Sequence, residues 1–533
     1  MQCLFVIGGI KMNIFGITES LKRFNWPDYL VFFLMLLSCS LIGIYFGWKD
    51  HQKHRHLRGK RVRRGSEALD YLVGGREMQV LPVAMSLVAS LISGIGLLGT
   101  STEIYLYGTQ YCFILIGIVL TGFVLHFLYL PVYHRLRLTS LYEDVIQGVV
   151  MIGSLIMVAV KATIQVGGLQ VVLNRNFESG RIEMPIWDID PTIRTSFWTT
   201  VIGGWVFHCS INGICQSMIQ RYVSLPTLKN ARQAVWIFIG GVFVLLGFTM
   251  YNGLLLYAVY HDCDPLQTGL AKKKDQLVPL LVMQILGDYP GLSGCFVAGV
   301  FSASLSSLST GLNSITAVIL EDFIKPFQKD PLSEKTTAII MKSTVIIVGL
   351  FSTGMVFIVE KLGPVLQLAI TFAGVTYGPL LGIFTMGLTM PYINAKNALI
   401  GACCGLLSSI WVVYKTQIDI INGELYFPEK PTSVENCSYS FDYSSIKNNN
   451  TVPTSPSEKF YHFSYLYYSL IGCCITIVLA NVFSQVFGKQ KVEDVDFELI
   501  SPIIRKYFMK NGMNHEASAA KPEASQLLDI GSR

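Results

Sequence analysis

The sequence predicts an all-α polytopic membrane protein. Of the 533 residues, 51% are apolar and only 14% are charged, whereas a soluble chain of this size carries about a quarter charged residues. Apolar runs of membrane length recur along most of the chain. Such runs are expected to cross a bilayer as helices, because a helix satisfies its own backbone hydrogen bonds in hydrocarbon.

Windows of about 19 residues predict eleven membrane-spanning helices. Their predicted bounds are 29–48, 80–105, 111–130, 144–172, 197–215, 234–260, 291–320, 338–360, 363–388, 396–414 and 464–487. Together they form one transmembrane domain of residues 29–487. The apolar stretch before this domain is interrupted by Lys11 and has no signal-peptide cleavage pattern, so residues 1–28 are expected to remain as an N-terminal extension.

Positive charge predicts the orientation of the chain. Residues 49–64, after the first span, hold eight Lys or Arg, and such runs stay on the cytoplasmic side of a membrane. This places residues 1–28 and the loop 415–462 outside the cell. The tail, residues 488–533, is expected to be cytoplasmic and mostly disordered.

The predicted outer loops carry two further signals. Glycosylation sequons begin at Asn436 and Asn449, and sequons are modified only on the lumenal or outer side, so they agree with the charge rule. A multi-pass plasma-membrane protein is therefore expected. Most of the twelve cysteines fall within predicted spans as small apolar fillers. Cys263 and Cys437 are both predicted outside, and the sequence leaves open whether they pair.

No catalytic motif is found in the sequence. It contains no Cys-x-x-Cys pair, no phosphate-binding Walker loop and no Gly-x-Ser-x-Gly elbow. We therefore predict no enzymatic activity, no catalytic residues and no organic cofactor. The net charge of +6 is assigned to inner loops that face anionic lipid, rather than to nucleic-acid binding. The oligomeric state cannot be read from the sequence.

The segment 299–323, GVFSASLSSLSTGLNSITAVILEDF, predicts a spanning helix with hydroxyl groups along one side. Polar residues recur there every three or four positions, which puts them on one face: Ser302, Ser306, Ser309, Asn313 and Thr316. Ala303, Ser306 and Ser307 form a tighter cluster within this face. Oxygen atoms grouped in this way can replace part of the hydration shell of a small cation. The alternative is that these small residues simply allow close helix packing.

The predicted span that begins at residue 80 is rich in Ser and Gly. Because Gly costs about 1 kcal/mol relative to Ala in a helix, this span is predicted to be broken. In secondary transporters, such breaks form substrate and ion sites near the membrane midplane. A bent helix that serves packing alone is the alternative. Glu103, at the far end, is expected to face a cavity or the membrane interface.

Several motifs occur in a fixed order along residues 29–487. They are DYLVGGR at 70–76, SLISGIGLLGTSTEIYLYG at 90–108, QSMIQRYVS at 216–224, the stretch from DCDPL at 262 to LEDF at 323, and FYHFSYLYYSLIG at 460–472. In this order and spacing they resemble the sodium:solute symporter family. The resemblance is closest to its branch of sodium-coupled monocarboxylate and multivitamin transporters.

The resemblance implies a LeuT-like fold with two five-helix inverted repeats and flanking helices, in which inward sodium flow drives alternating access. It also implies a sodium site between the first and eighth core helices. Matched by motif, the backbone carbonyls of Ala89, Ile92 and Ala303 and the hydroxyls of Ser306 and Ser307 would hold the ion. Sodium is a hard cation that favours such oxygen ligands.

The family resemblance also implies an ion exit and a substrate class. The family's acid near the inner sodium exit matches Asp144. The branch suggests small organic anions, such as lactate, short-chain acids, pantothenate or biotin, or else iodide. Broken half-helices offer positive ends to an anion, so Ser93, Gly94 and Thr100 are candidate residues of the substrate cavity. Lys161 is either a carboxylate clamp or a lysine that extends to the membrane interface.

One departure from the family is large. In relatives, a Thr-Ser-x-Tyr-Glu segment is followed by two more helices before Asp-Val-x-Gln, whereas here TSLYE at 139–143 runs straight into DVIQ at 144–147. A block of roughly 70 residues, two spans of about 20 residues plus loops, is missing, so the first repeat would keep three of its five helices. The clean junction indicates a skipped exon or an incomplete gene model. A smaller departure is Cys215, where relatives usually carry Asn, interpreted as a tolerated change at a cytoplasmic helix end.

Three function classes follow. The first is a sodium-coupled symporter of a small organic anion, with sodium, the anion and the lipid bilayer as its partners. The second is a transport-dead variant that acts as a sensor or regulatory membrane protein. The third is a sodium-leak channel.

Overall fold

The computed structural model describes residues 24–58, 79–133, 144–328, 332–359, 365–441, 459–492, 495 and 499–510, which are mainly helical. In chain order the helices are α1 (Trp26–Arg58), α2 (Val80–Leu91), α3 (Gly94–Tyr107), α4 (Ile114–Val124), α5 (Leu130–Tyr133), α6 (Asp144–Val166), α7 (Leu169–Glu178), α8 (Gly204–Ile214), α9 (Gln216–Val223), α10 (Leu228–Tyr260), α11 (Leu277–Leu286), α12 (Leu292–Val318), α13 (Glu334–Val359), α14 (Val365–Thr389), α15 (Ala395–Ile421), α16 (Tyr468–Phe487) and α17 (Pro502–Lys510). Three π-helical turns, at Leu125–Tyr129, Thr199–Gly203 and Ile319–Ile324, join or extend them.

The predicted spans lie on these helices. Within the described residues, eight helices are long and apolar enough to cross a membrane, and the bent pair α2–α3 makes a ninth. The predicted spans 29–48 and 197–215 fall on helices with shorter apolar parts: the apolar part of α1 is Trp26–Leu41, and α8 buries the polar His208 and Asn212. The predicted span 144–172 is two helices, because the chain turns between α6 and α7.

The break predicted in the second span lies between α2 and α3. The two helices are bent by 59°, and Ile92 between them has an extended backbone (φ −94°, ψ 94°). The helix after the break approaches α12 very closely, since a Cβ at Gly94 would lie 2.5 Å from Ser304 Oγ. A residue without a side chain is required there, and this contact holds the break against α12.

A second break lies at Cys215, which was interpreted as a helix end. Its backbone is extended (φ −64°, ψ 123°) between α8 and α9, and its Sγ lies 3.8 Å from Tyr377 Oη. Cys215 therefore does lie at the end of α8, as interpreted, but a new helix begins at the next residue. Its position on the cytoplasmic side stays a prediction.

The structure also bears on two expectations for the predicted cytoplasmic segments. The basic run expected as a loop from residue 49 continues α1 to Arg58, because Lys, Arg and His are compatible with helix. Part of the tail makes defined contacts: Gln490 donates its backbone N–H to the carbonyl of Tyr392, Ser501 does so to that of Leu388, and α17 follows. Most of the tail lies outside the described residues, so the expectation that it is mostly disordered stays a prediction.

The helices pack in two groups. In the first, α2, α3 and α6 pack on α10, and α12 packs on α6, α2 and α3; in the second, α14, α15 and α16 pack on one another, and α8 packs on α14 and on α4. On the predicted outer side, a disulfide joins Cys263 to Cys437, which answers the question that the sequence left open. Asn436, beside it, is exposed, as a glycosylated residue must be, and Asn449 lies outside the described residues.

Candidate functional site

The candidate site lies where the break after α2 meets α12. The last carbonyls of a helix have no partner within it, so a helix that ends inside a membrane protein presents them to a neighbour. Here the carbonyl of Ser90 accepts a hydrogen bond from Ser307 Oγ at 3.1 Å. One residue further on, Leu91 ends α2 and Ile92 opens the break.

Hydroxyl groups from the two helices converge at this point. Ser306 Oγ lies 3.2 Å from Ser90 Oγ, and Ser307 Oγ also donates to the Ala303 carbonyl at 3.2 Å. Ala89, Ala303 and Ser306 are almost completely buried. The structure therefore brings the last turn of α2 against Ser306 and Ser307 of α12, where the family resemblance implies a sodium site. That Ala89, Ile92 and Ala303 offer their carbonyls to an ion stays a prediction. Ser90, which the sequence did not assign to the site, makes the contact between them.

Helix α6 forms a third wall of the site. A Cβ at Gly148 would lie 3.7 Å from the Cβ of Ala89, and a Cβ at Gly299 would lie 2.5 Å from Ser154 Oγ. Helix α6 thus packs on both helices that carry the candidate oxygens. Asp144 begins α6 one turn before Gly148, while its side chain lies outside the described residues.

A buried arginine, Arg221 of α9, joins the same two helices one turn away. It is only 2% exposed; its Nη1 donates to the Ser86 carbonyl of α2 at 3.2 Å and its Nη2 to Thr310 Oγ1 of α12 at 2.6 Å. Thr310 in turn donates to the Ser306 carbonyl at 2.8 Å. The sequence analysis did not assign Arg221 to the site. Its position inside the QSMIQRYVS motif was the only sequence signal for it.

The candidate cavity residues are distributed differently. Ser93 is half-buried at the start of α3, and Thr100 is buried in its second turn. Gly94 faces α12 at the close approach described above and leaves no space there. The Nζ of Lys161 lies 4.2 Å from the centroid of the Tyr289 ring. Tyr289 stands in the short segment between α11 and α12. That contact favours the interfacial interpretation of Lys161 over a carboxylate clamp.

Glu103 forms a buried ion pair that the sequence did not predict. Arg194, in the loop before α8, donates to both carboxylate oxygens of Glu103 at 3.0 Å, and both side chains are 8% exposed. Gln367 of α14 accepts from Arg194 at 3.1 Å, and Tyr465 donates to Glu103 at 3.2 Å. Burial alone would lower the pKa of Arg194, but the Glu103 carboxylate outweighs burial and raises it. The guanidinium therefore stays charged.

A cavity of about 380 Å³ lies directly over this ion pair. It opens between the loop before α8 and the segment that follows α15. Its walls include Tyr107, Gln110, Arg194, Phe427 and Lys430. Arg194 lines this cavity, whereas the Glu103 carboxylate is paired with Arg194 and is not part of the lining. The expectation that Glu103 faces a cavity or the membrane interface therefore stays a prediction.

Comparison with known proteins identifies the family. The model of the sodium:solute symporter family matches residues 71–141 and 136–405, which is more than half of the chain. The chain belongs to the sodium:solute symporter family. The two matched segments meet at residues 136–141, just before Asp144.

Curated relatives in this family cover most of the chain. Sodium-coupled monocarboxylate transporter 2 of Mus musculus is 30% identical over 561 aligned positions, which cover 90% of this chain and 87% of the relative. Sodium-coupled monocarboxylate transporter 1 of Xenopus laevis is 30% identical with 89% and 87% coverage. A putative sodium-dependent multivitamin transporter of Drosophila melanogaster is 28% identical, with 87% of each chain covered.

The alignment with the mouse relative has more positions than the number of residues that this chain contributes to it. Because 90% of the 533 residues is about 480, about 80 of the 561 positions are filled by the mouse protein alone.

Among solved structures, this symporter-family chain is similar to a Na⁺-coupled sialic acid symporter in a substrate-bound, outward-open state. The TM-score is 0.64 at 17% identity, with 88% of this chain and 99% of that chain covered. The fold is therefore LeuT-like.

Proposed function

We propose that this protein is a sodium-coupled symporter that carries a small organic anion across the plasma membrane by alternating access. One observation carries the proposal: the break after α2 faces the Ser306 and Ser307 hydroxyls of α12, with their oxygens 3.1 to 3.2 Å from Ser90. The names of the relatives, which are sodium-coupled monocarboxylate and multivitamin transporters, support the ion and the anion class.

The geometry suits sodium as a transported ion. The converging groups are hydroxyl and carbonyl oxygens, which a hard monovalent cation accepts as ligands. The Ser307 hydroxyl donates to the carbonyls of Ser90 and Ala303, and the Ser306 hydroxyl is hydrogen-bonded to that of Ser90. An arriving sodium ion would be coordinated by the oxygen atoms of these two hydroxyls and by the carbonyl oxygens of Ala89, Ile92 and Ala303. Because all these ligands are neutral, the ion would be held weakly enough to be released.

The proposed ion path ends at the cytoplasm. The basic segment after the first span and the sequons of the outer loop place the starts of α2 and α6 inside. Asp144, at the first residue of α6, would then attract the ion leaving the site. Positive-inside orientation, with the N-terminus outside and the C-terminus inside, is part of this proposal.

The anion would enter from the opposite side. The cavity over Arg194 opens between predicted outer loops, and the half-helix α3 beneath it carries Ser93 and Thr100. The start of α3 presents unpaired N–H groups and a positive dipole end, which suit a carboxylate. We therefore propose that Ser93 and Thr100 line the substrate path, and that Gly94 serves the contact with α12.

A second candidate function is favoured by a specific observation. The family model matches in two segments that meet near residue 141, and about 80 positions of the mouse relative have no counterpart here. Both facts support the absence of two family helices between residues 143 and 144. A chain without them could insert in the membrane and bind sodium without completing transport, which describes a regulatory or sensor protein.

Uptake measurements test the proposal and separate the two candidates. The chain and a version with the two helices restored from a relative would be expressed in the same cells, and uptake of labelled lactate, pantothenate and biotin measured with sodium or choline outside. Symport predicts sodium-dependent, saturable uptake that falls at least tenfold in Ser306→Ala and Ser307→Ala. Thr353→Val removes an exposed hydroxyl bonded within α13 and should transport normally.

Three other outcomes would count against symport. Surface expression without uptake, while the restored version transports, would favour the regulatory candidate. Sodium current without saturable uptake would indicate a leak channel. Equal uptake in sodium and in choline would show that transport is not coupled to sodium.

A further inference from the structure

A cationic cavity lies at the predicted cytoplasmic ends of α4 and α10. Its volume is about 360 Å³, and it lies between the π-helical turn after α4 and the first turns of α10. It is lined by His126, Leu228, Lys229, Arg232, Gln233 and Trp236. None of these residues belongs to the candidate sodium site or to the outer cavity.

The charge of this cavity is not compensated. Lys229 and Arg232 are three residues apart, so they share one face of α10. No carboxylate lines the cavity, and within the described part of the chain neither cation makes an ion pair. A pair of unneutralised cations in a concave site is expected to attract an anion.

The donors of the cavity are held in place by their neighbours. Arg232 Nε donates to the His126 carbonyl at 3.3 Å, and Trp236 Nε1 donates to His126 Nδ1 at 3.2 Å. Because an indole N–H can only donate, His126 Nδ1 must accept, and its ring proton lies on Nε2. The Arg232 Nη atoms, Lys229 Nζ and His126 Nε2 are further donors of the residues that line the cavity. Donors of these kinds bind a phosphate group when their side chains turn towards it.

The surroundings of the cavity are apolar and exposed. Phe123, Phe127 and Ile237 are 48%, 51% and 41% exposed. The Phe123 and Trp236 rings are in contact, with centroids 4.9 Å apart. A free phosphate would need only the donors, whereas a phospholipid would also use an apolar surface next to them for its acyl chains. Aromatic rings at the membrane interface are typical of such positions.

We propose that this cavity binds the headgroup phosphate of an anionic phospholipid from the cytoplasmic leaflet. Lys229 and Arg232 contact the phosphate, His126 donates a further hydrogen bond, and the exposed phenylalanines contact the acyl chains. Inner leaflets carry a negative surface potential from such lipids. The assignment to that leaflet uses the proposed orientation, but binding itself does not depend on transport.

Lipid titration followed by native mass spectrometry tests this inference. The purified full chain in neutral detergent would be titrated with dioctanoyl phosphatidylinositol 4-phosphate, and the bound fraction compared with that for dioctanoyl phosphatidylcholine. One basic residue near an anionic headgroup contributes about 1 kcal/mol, which is about fivefold in affinity. We expect about fivefold weaker binding in Lys229→Gln and about 25-fold in the double variant with Arg232→Gln.

The chain offers a closely matched control. Lys396 is the second residue of α15, as Lys229 is of α10, and it is exposed at the same predicted membrane side without lining this cavity. Lys396→Gln should bind the lipid like the wild type. An equal loss in Lys396→Gln, or an unchanged affinity in the double variant, would overturn the site.

Soluble inositol 1,4-bisphosphate, which carries the same headgroup phosphates without acyl chains, distinguishes a lipid from a free phosphate ligand. Binding at least tenfold weaker than that of the lipid supports the lipid assignment, and equal binding would overturn it. Thermal melting of each variant in detergent shows whether it is folded. Because no transport is measured, failure of this inference would leave the symporter proposal untouched.

Discussion

Removing Arg194 should strongly destabilise the protein. Its guanidinium makes two 3.0 Å bonds to Glu103, and both side chains are 8% exposed. Opposite charges about 4 Å apart attract by about 4 kcal/mol at an effective dielectric constant of 20. Breaking a buried pair on one side costs about 3–5 kcal/mol, because the other charge remains buried. We therefore expect Arg194→Met to lower the free energy of unfolding by about 3–5 kcal/mol.

The double variant makes this prediction specific to the ion pair. Glu103→Gln together with Arg194→Met leaves no buried charge, so the loss should be smaller than that of Arg194→Met alone. We expect a coupling energy of at least about 2 kcal/mol between the two positions. Lys430→Met is the matched control, because its pair with Glu183 at 2.7 Å is about one-quarter exposed and should contribute less than about 1 kcal/mol.

Equilibrium unfolding in mixed micelles, followed by far-ultraviolet circular dichroism, measures these values for the wild type, Glu103→Gln, Arg194→Met, their double variant and Lys430→Met. Losses that add in the double variant would refute the reasoning, since they would mean that the residues stabilise the fold independently. A Lys430→Met loss as large as that of Arg194→Met would also refute it. In that case, burial would not decide the strength of the interaction.

Three further predictions concern the outer side of the molecule. Asp28 accepts backbone N–H groups from Gly294 and from its own helix start, both at 2.9 Å, and is buried. Asp28→Ala should therefore lower the free energy of unfolding by about 1–3 kcal/mol in the same assay. Replacing Cys263 and Cys437 by Ser should lower it by about 2–5 kcal/mol, measured against the oxidised wild type. Asn436→Gln should abolish one glycan, seen as a faster-migrating band on gels.

Each of these three has a contrary outcome. An Asp28→Ala protein as stable as the wild type would show that the start of α12 is held by other contacts. Equal stability of the oxidised wild type and the variant with Ser at both positions would show that the disulfide does not stabilise the link between the two outer segments. An unchanged gel mobility of Asn436→Gln, with enzymatic deglycosylation as the reference, would place that residue away from the glycosylation machinery.

The sequence predicted the features that depend on local composition. Apolar length located the helices, and the Ser and Gly content of residues 90–102 predicted the break after α2. Ser306 and Ser307 lie three and four residues after Ala303, a spacing that groups both with Ala303, and both hydroxyls contact α2 in the structure. Local pattern is sufficient for these features because helix period and span length are set by the backbone and the bilayer.

The remaining features depend on contacts between distant segments. Arg194 and Glu103 are 91 residues apart in the chain, and a loop arginine has no local pattern that shows it to be buried. Arg221 stands among exposed basic residues in sequence, but the fold turns it between α2 and α12. The break at Cys215 also gave no local signal, since it contains neither Gly nor Pro. Contacts of this kind can be identified only when the three-dimensional arrangement of the helices is known.

Helix α13 buries little of its surface: only 6% of its apolar segment is buried, and it packs along α12 and the π-helical turn that follows α12. Most of its surface therefore faces lipid, which should influence its position. The apolar helix Thr336–Val359 has 24 residues, about 36 Å at 1.5 Å per residue, and exceeds a hydrocarbon layer of about 30 Å. It should tilt to fit, and the tilt should change with bilayer thickness. Because α13 follows α12 directly in the chain, hydrophobic mismatch in thin or thick membranes would pull on the helix that carries Ser306 and Ser307.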